Sequence, residues 1–85
     1  MDMQQVKYYG SPLCPDCVEA TQLLEQKGVQ CEFVDMTASM RGLKEFLALR
    51  DTRAEFEDVR KEGRVGIPCF LKPDGTLTFD VNEIL

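Results

Sequence analysis

Hydrophobic and polar positions change period several times along this chain, and each change marks an element. Residues 3–9 read as a strand, ending on Val6-Lys7-Tyr8-Tyr9. From Pro15 to Lys27 the side chains of Cys17, Ala20, Thr21 and Leu24 recur on one face, with Glu19, Gln22 and Gln26 opposite, which is the helical spacing. Pro15 suits the first helical position because its missing N–H has no partner there in any case. Lys27 and Gly28 supply the stop. Residues 29–35 alternate Cys31, Phe33 and Asp35 against Glu32 and Val34, a second strand expected parallel to the first.

A polar turn, Thr37-Ala38-Ser39, then leads into Met40, Leu43, Phe46 and Leu47, helically spaced through Arg50. Thr52-Arg53-Ala54-Glu55 has the form of a capping box, so a second helical piece is expected from Thr52, with Phe56 and Val59 one turn apart and Gly63 as its close. Met40, Phe46 and Phe56 are expected in the core. Cys69-Phe70-Leu71 is a short apolar run that reads as a third strand. Lys72-Pro73-Asp74-Gly75 is a turn, with residues 76–79 returning antiparallel. Asp80-Val81-Asn82-Glu83 has the spacing to cap a final helical turn. The sum is an α/β fold built on a strand, helix, strand unit, with a four-stranded mixed sheet flanked by helices.

Length and charge narrow the reading. Eighty-five residues without repeat or linker suggest one domain over residues 1–85. The formal net charge of −5 argues against a nucleic-acid partner, whose footprint is a basic patch. Residues 1–5 show neither a positive start nor a long apolar run, so a secretory signal and a membrane span are not expected and the cytoplasm is the expected compartment.

Four cysteines bring the chemistry into view. Cys14 and Cys17 are three residues apart, whereas Cys31 and Cys69 stand alone. In thiol–disulfide exchange the thiolate is the nucleophile, and Cys14 at a helix start gains from unpaired N–H groups and the positive end of the dipole. Cys17, one turn deeper on the same side, is placed to attack a mixed disulfide formed at Cys14. Asp16, between them, opposes a second negative charge at Cys14.

The same spacing also serves zinc sites. With no histidine in the chain, Cys31, Cys69 or carboxylates would have to complete such a site, and neither cysteine sits in a knuckle pattern. Three readings therefore stand: a redox pair; a zinc or iron-sulfur module using the same cysteines; and an interaction domain holding an idle disulfide. Cys31 and Cys69 read as small core hydrophobes, with a regulatory disulfide or glutathione adduct at Cys69 as the alternative.

The order of elements, Cys14-Pro15-Asp16-Cys17 at a helix start and Gly63-Arg64-Val65-Gly66-Ile67-Pro68 before the third strand resemble the glutaredoxins, of the thioredoxin-like group, in a dithiol variant. Tyr9, Ala20, Leu23-Leu24 and Lys27-Gly28-Val29 add to the likeness, which spans nearly the whole chain. The resemblance implies a thioredoxin-like fold and a thiol–disulfide oxidoreductase that reduces protein or glutathione mixed disulfides through Cys14 and Cys17. It implies a cis bond at Pro68, with the Ile67 backbone pairing with substrate. It makes Tyr9, Ser11, Pro15, Asp16, Ile67 and Pro68 the expected substrate-binding residues.

No bound cofactor or metal is implied. The reductant is expected to be a thiol, with glutathione one candidate, or a glutathione- or flavin-dependent reductase system. Ser11 stands where the family carries lysine, Asp16 where dithiol members carry tyrosine, and Thr78-Phe79 where the family has Gly-Gly. The stretch 36–65 exceeds the usual second helix, and the closing helix is short, which suits a monomer or weak homodimer.

Overall fold

Cap and turn residues set most element boundaries in the computed structural model, which describes residues 5–85. Strand β1 is Val6–Gly10, and helix α1 is Pro15–Lys27. Met3, expected to open the first strand, lies outside the described residues. Gly28 ends α1 in the left-handed region at φ 68°, and its N–H and that of Val29 bond back to Glu25 and Leu24 carbonyls. That double bond occupies Val29, so strand β2 begins at Cys31 and runs Cys31–Asp35, two residues later than the alternation alone suggests.

Helix α2, Met40–Thr52, starts on Ser39, whose Oγ accepts from Gly42 N at 3.0 Å. Thr52 does not open the next piece as the capping-box pattern suggests. It closes α2, and its hydroxyl donates to the Ala48 carbonyl. A 3-10 turn, Ala54–Phe56, and helix α3, Glu57–Glu62, come next. Strand β3 is Cys69–Leu71 and β4 is Leu77–Thr78. Between them Gly75 N bonds Lys72 O at 2.9 Å, with Pro73 at the second turn position as expected. A 3-10 turn, Val81–Ile84, ends the chain, with Asp80 accepting from Asn82 N at 3.0 Å.

The sheet order is β2-β1-β3-β4. Strand β1 runs parallel to β2 and antiparallel to β3, and β4 pairs antiparallel with β3. The four-stranded mixed sheet is that of a thioredoxin-like α/β fold. Residues alternate between two apolar clusters. Tyr9, Cys69 and Leu77 join Met36, Phe46, Phe56 and Val59 on the α2 side. Tyr8 and Phe70 join Ala20 and Leu24 on the α1 side, with Val81 and Ile84 packed against them. Phe46 and Phe56 are core residues as expected. Met40 is not, at 68% exposed, because it is the first residue of α2 and core contact starts a turn later at Leu43 and Phe46. Among the described residues no helix is long and apolar enough to cross a membrane.

Candidate active site

A β-strand ending in glycine lets the Cys14 and Cys17 pair sit against the sheet. A Cβ on Gly10 would stand 2.9 Å from the Tyr8 ring, 3.1 Å from Cys17 Sγ and 3.3 Å from the Phe33 ring. The chain then turns through Ser11-Pro12-Leu13, where Cys14 N donates to Ser11 O at 3.2 Å and Leu13 N donates to Ser11 Oγ at 3.1 Å. Cys14 caps α1 with extended backbone, φ −99° and ψ 120°, and its carbonyl accepts from Val18 N at 3.0 Å. Pro15 takes the first helical position.

The two thiols differ in setting. Cys14 is half-buried and Cys17 is 1% exposed. Burial pushes the Cys17 thiol up, and the neighbouring Cys14 thiol adds to it. Hydrogen bonds from the Ser11 backbone and Tyr8 work the other way. Tyr8 holds the helix in place: its hydroxyl donates to Cys17 O at 2.7 Å and meets Thr21 Oγ1 at 3.0 Å. Both cysteines are free thiols in this structure.

Cys14 opens onto a cleft of about 410 Å³ whose walls are Asp16, Val65, Gly66, Ile67, Pro68 and Phe79, with Arg64 at its rim. The Ile67–Pro68 bond is cis. Arg50 anchors this far wall from α2, donating to the carbonyls of Arg64 and Val65. Beneath the wall, Gly66 at φ 96° packs directly on the Phe56 ring. The structure thus brings Cys14, Asp16, Ile67 and Pro68 to one cleft, with exposed Pro15 beside Cys14.

Two of the expected binding residues lie elsewhere. Tyr9 is buried on the α2 side, where its hydroxyl donates to Glu45 Oε2 at 2.7 Å, an oxygen shared with Lys7 Nζ at 3.1 Å. Its place in the alternation sends it away from α1, and Tyr8 reaches that helix instead. Ser11 is 2% exposed, and its hydroxyl meets Thr37 Oγ1 at 2.9 Å, a contact that braces the loop.

Cys69 is fully buried among Tyr9, Phe46 and Phe56, and burial pushes its thiol up to about 12. That setting leaves no room for a glutathione adduct in the folded state. Cys31 packs against the α1-side cluster. Among the described residues no three His, Cys, Asp or Glu side chains converge as a metal site requires. Tyr8, Gly10 and Arg50 went unread in the sequence. The alternation that puts Tyr8 and Gly10 on one face was a usable signal, but Arg50 looks like any solvated arginine until its acceptors are seen.

The glutaredoxin family model matches residues 6–70, a span that runs from β1 through Cys14 and Cys17 to the strand after Pro68. A protein of Haemophilus influenzae, described as uncharacterized, is 35% identical over 71 residues, covering 84% of this chain and 83% of its own length. No solved structure matches the chain significantly. Fold, cleft and family match agree, and the chain belongs to the glutaredoxin family.

Proposed function

We propose that this chain is a dithiol thiol–disulfide oxidoreductase, acting in the cytoplasm on protein or glutathione mixed disulfides. The observation that carries the reading is the pairing of an accessible Cys14, at the start of α1 and on the Pro68 cleft, with a buried Cys17 one turn on. The Cys14 thiolate attacks one sulfur of a substrate disulfide, and the other sulfur leaves as a thiolate that takes a proton from solvent. Cys17 then loses its proton and attacks Cys14 Sγ. The second substrate thiol departs, leaving a Cys14–Cys17 disulfide. Two electrons pass from the protein to the substrate, and a thiol such as glutathione, or a flavin-dependent reductase, returns them.

Burial keeps Cys17 protonated, so in the reduced protein it waits until a mixed disulfide forms next to it. Asp16 lies on the cleft wall and Ile67 and Pro68 form its opposite side, the placement that substrate positioning requires. The exchange needs no resident metal or cofactor.

Equilibrating the full chain in glutathione redox buffers, quenching with acid and reading intact mass tests the reading. A two-electron transition that loses two hydrogens, abolished by either Cys14→Ser or Cys17→Ser, is the expected result. A pair that stays reduced or oxidised across the whole buffer range, or near-stoichiometric zinc or iron in protein purified without chelator, would overturn it.

A further inference from the structure

Next to the Cys14 cleft lies a second depression of about 300 Å³, and the two share Asp16, Pro68 and Phe79. A substrate whose sulfur reached Cys14 across Pro68 would have room to continue into it. Its floor is apolar, formed by Ala20, Leu23 and Val81. Its wall is the Phe79 ring, 36% exposed and held edge-on against the buried Phe56 ring at 5.0 Å and 89°. Around the rim stand three carboxylates, Asp16, Glu19 and Asp80, and among the described residues no lysine or arginine lines it. In the adjoining cleft the one cation among the described residues is Arg64, whose Nε is 2.6 Å from Glu62 Oε1.

An apolar floor, an aromatic wall and a spread of carboxylates match a long side chain with an aliphatic stem and a cationic head. The carboxylates do not converge as a metal ion would need. Glutathione, with two carboxylates and one ammonium, is the wrong sign for this rim. We propose that the depression seats a lysine or arginine of a polypeptide substrate close in sequence to the cysteine under exchange, so that basic polypeptide disulfides are preferred over anionic ones. This rests on the dithiol reading above and names its substrate class.

The test uses the reduced full chain in excess over peptides carrying one cysteine as a mixed disulfide with 2-mercaptoethanol, a neutral leaving thiol. Peptides differ only in Lys, Gln or Glu at positions one to three residues from the cysteine. Single-turnover rates are read by acid quench and mass, each divided by the rate of the same peptide with dithiothreitol to remove its intrinsic reactivity.

At low salt the best-placed Lys peptide is expected to react about fivefold faster than its Gln counterpart, the scale of a few exposed charge pairs, with Glu slower still. The advantage should shrink towards unity in 1 M salt and fall in Glu19→Gln and in Phe79→Ala. Equal rates for all peptides, or a Lys advantage that survives high salt and both substitutions, would overturn the subsite while leaving the dithiol reading intact. No reaction with any peptide by folded protein would overturn both.

Discussion

Replacing Gly66 by alanine perturbs the cleft wall and the core beneath it at the same point. An added Cβ would stand 2.8 Å from Phe56 Cε1 and 3.0 Å from Val59 Cγ1, and both side chains are buried. Phe56 has little room to retreat, because the Phe46 and Phe79 rings are edge-on to it at 5.8 and 5.0 Å. Backbone at φ 96° costs an L-residue roughly 1–2 kcal/mol, and overpacking of this kind costs about 1–3 kcal/mol more. Gly63→Ala isolates the first part, since Gly63 has φ 71° and nothing within 4 Å of its added Cβ.

For a domain of this size about 1 kcal/mol moves the melting temperature by roughly 4–8 °C. Thermal unfolding of the reduced proteins, followed by far-UV circular dichroism, should place Gly63→Ala roughly 4–16 °C below the parent and Gly66→Ala at least about 4 °C lower again. Disulfide reduction should slow in Gly66→Ala alone, as Ile67 and Pro68 shift away from Cys14. If the two variants melt together, the packing of Gly66 on Phe56 does not support the cleft as argued.

Tyr8→Phe removes the hydroxyl that donates to Cys17 O and meets Thr21; a loss of about 1 kcal/mol in urea titration and slower release of substrate from Cys14 are expected, and an unchanged release rate would count against a positioning role. Arg50→Met frees the Arg64 and Val65 carbonyls, so disulfide reduction should fall about tenfold, the cost of a modest misplacement, with little change in melting temperature; an unchanged rate would refute the anchoring. Alkaline pH should unfold the protein: burial raises the thiols of Cys17, Cys31 and Cys69, the last to about 12, and raises Tyr8 to about 12 and Tyr9 further. The unfolded chain gives up these protons more readily, so stability is full well below about pH 8.5, where unfolded cysteine is half ionised, and declines from there towards pH 12. Urea midpoints at pH 7, 9 and 10.5 in reductant should fall in that order, and a flat series would contradict the assigned burial.

Elements carried by local rules were legible in the sequence. The apolar face of α1, its proline start and glycine stop, and the Lys72 to Gly75 turn depend on neighbours a few residues away, and all appear as read. The placement of Cys14 and Cys17 at the start of α1 was legible for the same reason, since their spacing is local. Misreadings came where tertiary contacts decide. Thr52 satisfies the Ala48 carbonyl instead of capping the 3-10 turn and α3. Tyr9 and Ser11 lie in the interior, on the opposite face and under the loop, because strand alternation and the Thr37 hydroxyl claim them. Arg50, Gly66 and Phe79 gain meaning only when residues distant in sequence come against them, and a linear pattern carries no such distance.

Intact mass of Cys17→Ser after mixing with a disulfide-bonded peptide bears most directly on the claim that Cys14 attacks and Cys17 resolves. The expected product is one covalent peptide adduct per chain, located at Cys14 by fragmentation, stable until added thiol releases it and absent in Cys14→Ser. Continued turnover of Cys17→Ser without an adduct, or an adduct that persists in Cys14→Ser, would contradict the assignment.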